Sequence, residues 1–130
     1  MIGMKIRTED RMERVKKKAK DASFKNLGHA AASIRLTARR SIRKRATESP
    51  PGTPPHTRKG QLKRAISYAV EKREERAVIG PEHAVVGPSA MAHEFGGRFR
   101  GDRYDKRPFM GPALMKIKDR LPRKWAGSVR

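Results

Sequence analysis

The sequence predicts an α+β fold: a long N-terminal helix packed on a small antiparallel β-sheet, with a short C-terminal helix. Three patterns carry this. Phe24, Leu27, Ala31, Ile34, Ala38 and Ile42 recur at intervals of three or four residues, one apolar face of an amphipathic helix. Ile66, Tyr68 and Val70 alternate, as on a half-buried strand. Leu114, Ile117 and Leu121 again share a helical face, behind Pro112 at a first-turn position where its missing N–H costs nothing.

The chain's 130 residues suit one domain with a modest core. Hydrophobic residues make up 35% and charged residues another 35%, lean for a self-contained globule, so surfaces completed by neighbouring subunits are expected. The absence of cysteine excludes disulfides and thiolate zinc sites. No apolar run approaches the roughly 20 residues of a membrane span, and the N-terminus lacks the apolar core of a signal peptide. No membrane association and a cytoplasmic origin are therefore expected. The net charge of +20 attracts phosphate polymers with little sequence preference. It is concentrated at the flanks: residues 61–90 carry five bases against four acids, whereas residues 91–130 carry eleven against four.

Taken in order, Thr8-Glu9-Asp10 has the form of a helix start, with a hydroxyl at the N-cap and two acids in the first turn. Met12, Val15, Ala19 and Ala22 follow at helical spacing. One helix from Thr8 to about Arg45 is expected, with a kink near Asn26–Gly28, because a glycine inside a helix costs about 1 kcal/mol relative to alanine. Arg35, Arg39 and Arg43 would form a basic stripe on it. Prolines 50, 51, 54 and 55 then rule out helix or central strand. Leu62, Ala65 and Ile66 suit a single helical turn. Strands at Ile66–Val70, Arg76–Ile79 and His83–Val86 would make a three-stranded meander, with a charged tip at Glu71–Arg76 and a join at Gly80-Pro81. A last helix is expected from Pro112 to Leu121, stopped by Pro122. The organisation is a basic extension (1–26), one domain (27–122) and a tail (123–130).

The stretch from Ala90 to Leu114 holds the chain together. Gly96-Gly97 can take positive φ and so end a helical turn. A basic, mobile arm follows, and Pro108 pushes Arg107 into an extended conformation ahead of the apolar anchors Phe109 and Met110.

Sites of chemistry are scarce. His29, His56, His83 and His93 lack the close spacing of a metal site, and no second histidine follows His93-Glu94 at metalloprotease spacing. Glu94 is expected to accept hydrogen bonds from the turn or to pair with a base such as Arg107. Gly96 to Gly101 lacks P-loop spacing, no serine sits in a nucleophile elbow, and the acids outside the hairpin tip are scattered, giving no basis for a catalytic carboxylate pair. No cofactor, metal or catalytic residue is therefore expected. Phe99 and Tyr104 interleave with a basic run, a thin basis for a single-strand stacking platform.

Several pieces, in order, resemble the tail-completion and head–tail joining proteins of tailed bacteriophages. They are Ala38-Arg39-Arg40, Pro50-Pro51-Gly52-Thr53-Pro54-Pro55, Gly60-Gln61-Leu62, Val78-Ile79-Gly80-Pro81, His93-Glu94-Phe95-Gly96-Gly97 and Arg107-Pro108-Phe109-Met110-Gly111-Pro112-Ala113-Leu114. The resemblance covers roughly residues 27–121. It implies a non-enzymatic virion protein that forms a ring, often a hexamer, at the neck or tail top and is assembled in the host cytoplasm, with neck, connector and tail-tube proteins as partners. On this basis Pro50, Pro51, Pro54, Pro55, His56, Phe99, Tyr104, Phe109 and Met110 are candidate inter-subunit or inter-ring contacts. Arg35, Arg39, Arg43, Arg98, Arg100 and Arg103 are candidates for packaged DNA or an acidic partner. The basic extension and the high charge depart from the family pattern. The charge alone favours the alternative, a nucleic-acid-binding protein of ribosomal or nucleoid type.

Overall fold

The apolar face that begins at Phe24 folds against the rest of the chain. Ala31, Ala38 and Ile42 are fully buried and Ile34 nearly so. The computed structural model describes the backbone of residues 2–126 and the side chains of residues 11–126. Its first element, α1 (Ile2–Ser41), is 40 residues long, about 60 Å at about 1.5 Å per residue.

α1 departs from expectation in three respects. It starts at Ile2 rather than Thr8. No proline lies ahead of Thr8; Met4, Lys5 and Arg7 are good helix formers, and an interior threonine costs only tenths of a kcal/mol. It runs through Gly28 without interruption, since burial of Ala30, Ala31 and Ile34 beyond it offsets the glycine. It stops at Ser41, and Arg43–Lys44 become a short strand, β1, paired in parallel with β2 (His56–Thr57).

Gly60, at φ 76, leads into the single turn α2 (Gln61–Ala65), which buries Leu62 and Ala65. Next, β3 (Ile66–Glu71) pairs antiparallel with β4 (Arg76–Pro81), Ile66 opposite Pro81 and Glu71 opposite Arg76. The expected third strand is instead a helical turn, α3 (His83–Val86). The amides of Val85 and Val86 donate to the Glu82 carbonyl at 3.0 and 3.2 Å, and Gly87, at φ 60, donates to His83 at 2.7 Å. These local bonds override the strand preference of Val85 and Val86. Pro81 ends β4 instead of turning the chain.

α4 (Ser89–Phe95) stops at Gly96, whose φ of 73 suits glycine. The expected arm is an ordered hairpin of β5 (Gly97–Phe99) and β6 (Asp102–Tyr104). Its two turn residues, Arg100 and Gly101, both have positive φ (51° and 83°), the backbone that matches strand twist in two-residue hairpins. α5 (Met110–Ile117) holds Pro112 in its first turn, as expected. It is shorter than expected, and a 3₁₀ segment, Lys118–Lys124, carries on through Pro122. Trp125 donates from Nε1 to Ser23 Oγ at 3.4 Å, returning the chain to α1. The architecture is α+β: a long N-terminal helix, small antiparallel sheets and a short C-terminal helix. Of the expected divisions, residue 26 lies within α1 and residue 122 within the 3₁₀ segment.

The core joins Ala38 and Ile42 to Leu62, Ile66, Ala90, Phe109 and Ala113. Alanines pack around its few large side chains. Among the described residues, twelve buried hydrophobics include seven alanines: Ala30, Ala31, Ala38, Ala65, Ala90, Ala92 and Ala113. Many large apolar side chains lie outside: Met12, Val15, Met91 and Phe95 are each more than half exposed, at 56%, 56%, 66% and 70%.

Candidate functional site

The two motifs at the ends of the 90–114 stretch meet through Glu94. An α-helix begins with amides that have no intrahelical acceptor. At the start of α5 the Glu94 carboxylate takes three of them: Oε2 accepts from Phe109 at 2.8 Å and Met110 at 3.0 Å, and Oε1 accepts from Gly111 at 2.9 Å. Sequence reasoning offered turn amides or Arg107 as its partners; the amides it takes belong to the next helix. Arg107 is buried and points elsewhere. Its Nε donates to the Ser49 carbonyl at 2.8 Å, its guanidinium lies 3.7 Å from Glu48, and its amide donates to the His93 carbonyl at 2.6 Å. Gly52 in turn donates to the Lys106 carbonyl at 2.8 Å. The proline loop, the His-Glu-Phe-Gly-Gly turn and the Arg-Pro-Phe-Met entry are thus tied at one joint.

His93 lies in this joint, its ring edge-on to Tyr104 with centroids 5.5 Å apart. Burial, and secondarily the charge of Arg107, push its pKa below the ordinary histidine value, with Glu48 partly opposing. The buried Nδ1 has no hydrogen-bond partner among the described residues.

In front of the joint lies an apolar groove of about 550 Å³. It is lined by Ile34 of α1, Ile79 of β4, Met91 and Phe95 of α4, and Met110 and Leu114 of α5. Met91 and Phe95 project at its lip. Sequence reasoning missed both. The available signal was their spacing of four residues on a helix whose other apolar side chains are alanines.

The expected contact residues divide. Pro50 and Pro51 are exposed, Pro54 and His56 half-buried, and Pro55 fully buried. His56 donates from Nδ1 to the Thr47 carbonyl at 2.8 Å, so part of this loop is folded against its own chain. Phe109 is 1% exposed in the core. Its role as a surface contact is therefore corrected, because the side chain is consumed internally; Met110 beside it reaches the groove. Phe99 and Tyr104 pack edge to face at 6.0 Å within the hairpin.

The expected arginine stripe does not form. Arg35 donates from Nε to the Ile66 carbonyl at 3.1 Å and sits over the Tyr68 ring. Arg39 donates to the Lys63 and Arg64 carbonyls at 2.9 and 3.4 Å, closing the end of α2. Arg43 has left the helix for β1. The other three arginines do come together: Arg98 and Arg103 are directly opposed in the hairpin, with Arg100 at its turn. Like charges in that register repel, so the hairpin presents a cationic tip suited to an anionic surface. Arg100 also lies over the Phe99 ring at 5.3 Å.

Among the described residues no group of three His, Asp or Glu side chains is placed to hold a metal ion, and no helix is long and apolar enough to cross a membrane. The chain shows no match to known protein-family models, to curated proteins or to solved structures.

Proposed function

We propose that this chain is a non-enzymatic structural subunit of a tailed-bacteriophage virion, working without a cofactor. Copies form a ring, hexameric by resemblance, at the head–tail junction or tail top, joining the DNA-filled head to the tail. Its partners are further copies and the neighbouring neck, connector and tail-tube proteins, and it assembles in the host cytoplasm.

The observation that carries this reading is the inverted apolar distribution. Seven of the twelve buried hydrophobic side chains among the described residues are alanines, while Met12, Val15, Met91 and Phe95 face outward. A single chain gains nothing from that arrangement, whereas a ring subunit buries those side chains against its neighbours. The joint at Glu94 adds support, since it links the two motifs on which the resemblance rests. The alternative, a ribosomal or nucleoid-type nucleic-acid-binding protein, draws on the opposed Arg98 and Arg103 and the net charge of +20. Within the virion reading the same tip contacts packaged DNA or an acidic ring.

A tagged pull-down from source cells in about 0.5 M salt, where phosphate contacts weaken steeply, separates the two. Recovery of tail-tube or portal-connector proteins is expected. Recovery of only nucleic acid or ribosomal material would overturn the proposal.

A further inference from the structure

Among the residues whose side chains are described, the first two turns of α1, Arg11 to Lys18, are uncovered. Every side chain from Arg11 to Lys18 is exposed. A short helical segment without tertiary packing is marginal in water, yet this one carries Met12 and Val15 one turn apart on a single face. Ala19 and Ala22 continue that face.

The groove in front of the Glu94 joint is its complement in polarity and charge. Its twelve lining residues include no lysine or arginine, in a chain where 33 of 130 residues are basic, and its one ionisable lining residue is the acid Glu94. Glu82, exposed and adjacent in sequence to the lining Pro81, adds a second acid. The helix stripe is flanked by Arg11, Arg14, Lys16 and Lys18, with Glu13 as the one acid between Arg11 and Lys20. An apolar ridge edged with cations therefore faces an apolar, cation-free trough that holds an acid.

The two cannot meet within one molecule. Ile34, on the same unbroken helix, lines the groove. Val15 lies nineteen residues before it, about 28 Å away at about 1.5 Å per residue. We infer that the Met12–Val15 face of one copy docks in the Met91–Phe95 groove of a second copy. The interface is heterologous, head to tail: each copy offers one ridge and one trough, so successive copies close into a ring or run on as a filament. This supplies the joint for the ring reading above and rests on it for its purpose. The two fail separately, because docking is tested on purified protein and the virion role by its partners.

The test uses two double variants of the full chain, Met12→Gln/Val15→Gln and Met91→Gln/Phe95→Gln. All four side chains are more than half exposed, so both variants should fold, with circular dichroism as the check. Protein is treated with nuclease and held at about 0.5 M salt, so that nucleic acid does not bridge copies. Sedimentation should show wild type as multi-subunit species and each variant alone as monomer. An equal mixture of the two variants should give dimers and nothing larger, because only one ridge and one trough remain compatible. Monomeric wild type, variants that assemble like wild type, or a mixture that stays monomeric would each overturn the inference.

Discussion

The two halves of α1 obey different rules. From Ala30 to Ser41 the helix is held by tertiary contacts: Ala31 and Ala38 have no exposed surface, and Arg35 and Arg39 hydrogen-bond to carbonyls of α2 and β3. From Arg11 to Lys18 the same helix touches solvent on every side. Sequence patterning is helical in both halves, so periodicity alone does not distinguish a face packed in its own core from one awaiting a partner. What separates them is the apolar counterpart. The C-terminal half meets Phe109 and Ile66; the Arg11–Lys18 segment is exposed throughout.

The sharpest test of this contrast removes the counterpart. Phe109→Ala empties the centre of the cluster around Ala38 and Ile42 and should cost about 3–5 kcal/mol, read as a lower denaturation midpoint. A loss under about 1 kcal/mol would mean that the packed half does not depend on this contact.

Glu94→Ala comes next. It leaves three α5 amides without their acceptor and should cost about 2 kcal/mol. Glu94→Gln, which keeps an oxygen acceptor but loses the charge, should fall between the two.

Gly28→Ala addresses the seam between the halves. A Cβ there meets nothing within 4 Å, so the helix gains alanine's preference, about 1 kcal/mol. A destabilised variant would show that the helix needs to bend at this point.

The smallest effect is a pH dependence. Burial and Arg107 hold the His93 pKa below its ordinary value. Well above about pH 6.5, from about pH 7.5, the ring is neutral both folded and unfolded, so His93 contributes nothing. As the pH falls below that, the unfolded chain binds the proton more readily and stability declines, by at most about 1.4 kcal/mol per pH unit. Denaturation midpoints should therefore drop between about pH 7.5 and about pH 5.5, and by less in His93→Gln. Equal drops would exclude His93 as the source.

Elements with a strong internal period were legible in the sequence. The α1 face and the β3–β4 pair appear where three-and-four spacing or alternation places them, and α5 begins two residues before the expected Pro112. The misreadings fall where local bonds outweigh propensity. Val85 and Val86 suggest a strand, but Glu82 and Gly87 fold them into a turn. The β1–β2 bridge joins two polar segments with no pattern to betray it. The candidate site was half visible. Glu94 stood out as an acceptor, but its donors lie 15 to 17 residues ahead, across a hairpin. The groove escaped notice because Ile34, Ile79 and Leu114 come from three separate elements.

The continuity of α1 has a consequence for angle as well as length. Because α1 is unbroken between Val15 and Ile34, each residue in that span sets the azimuth of one end relative to the other, in steps of about 100°. One residue inserted near Lys25 would swing Met12 and Val15 about a quarter turn away from their bearing. A seven-residue insertion would nearly restore the bearing, with about 20° of drift, while lengthening the reach by about 10 Å. The helix thus fixes the phase between its two ends as a spline fixes a gear on a shaft, and any assembly built through both ends inherits that phase at every joint.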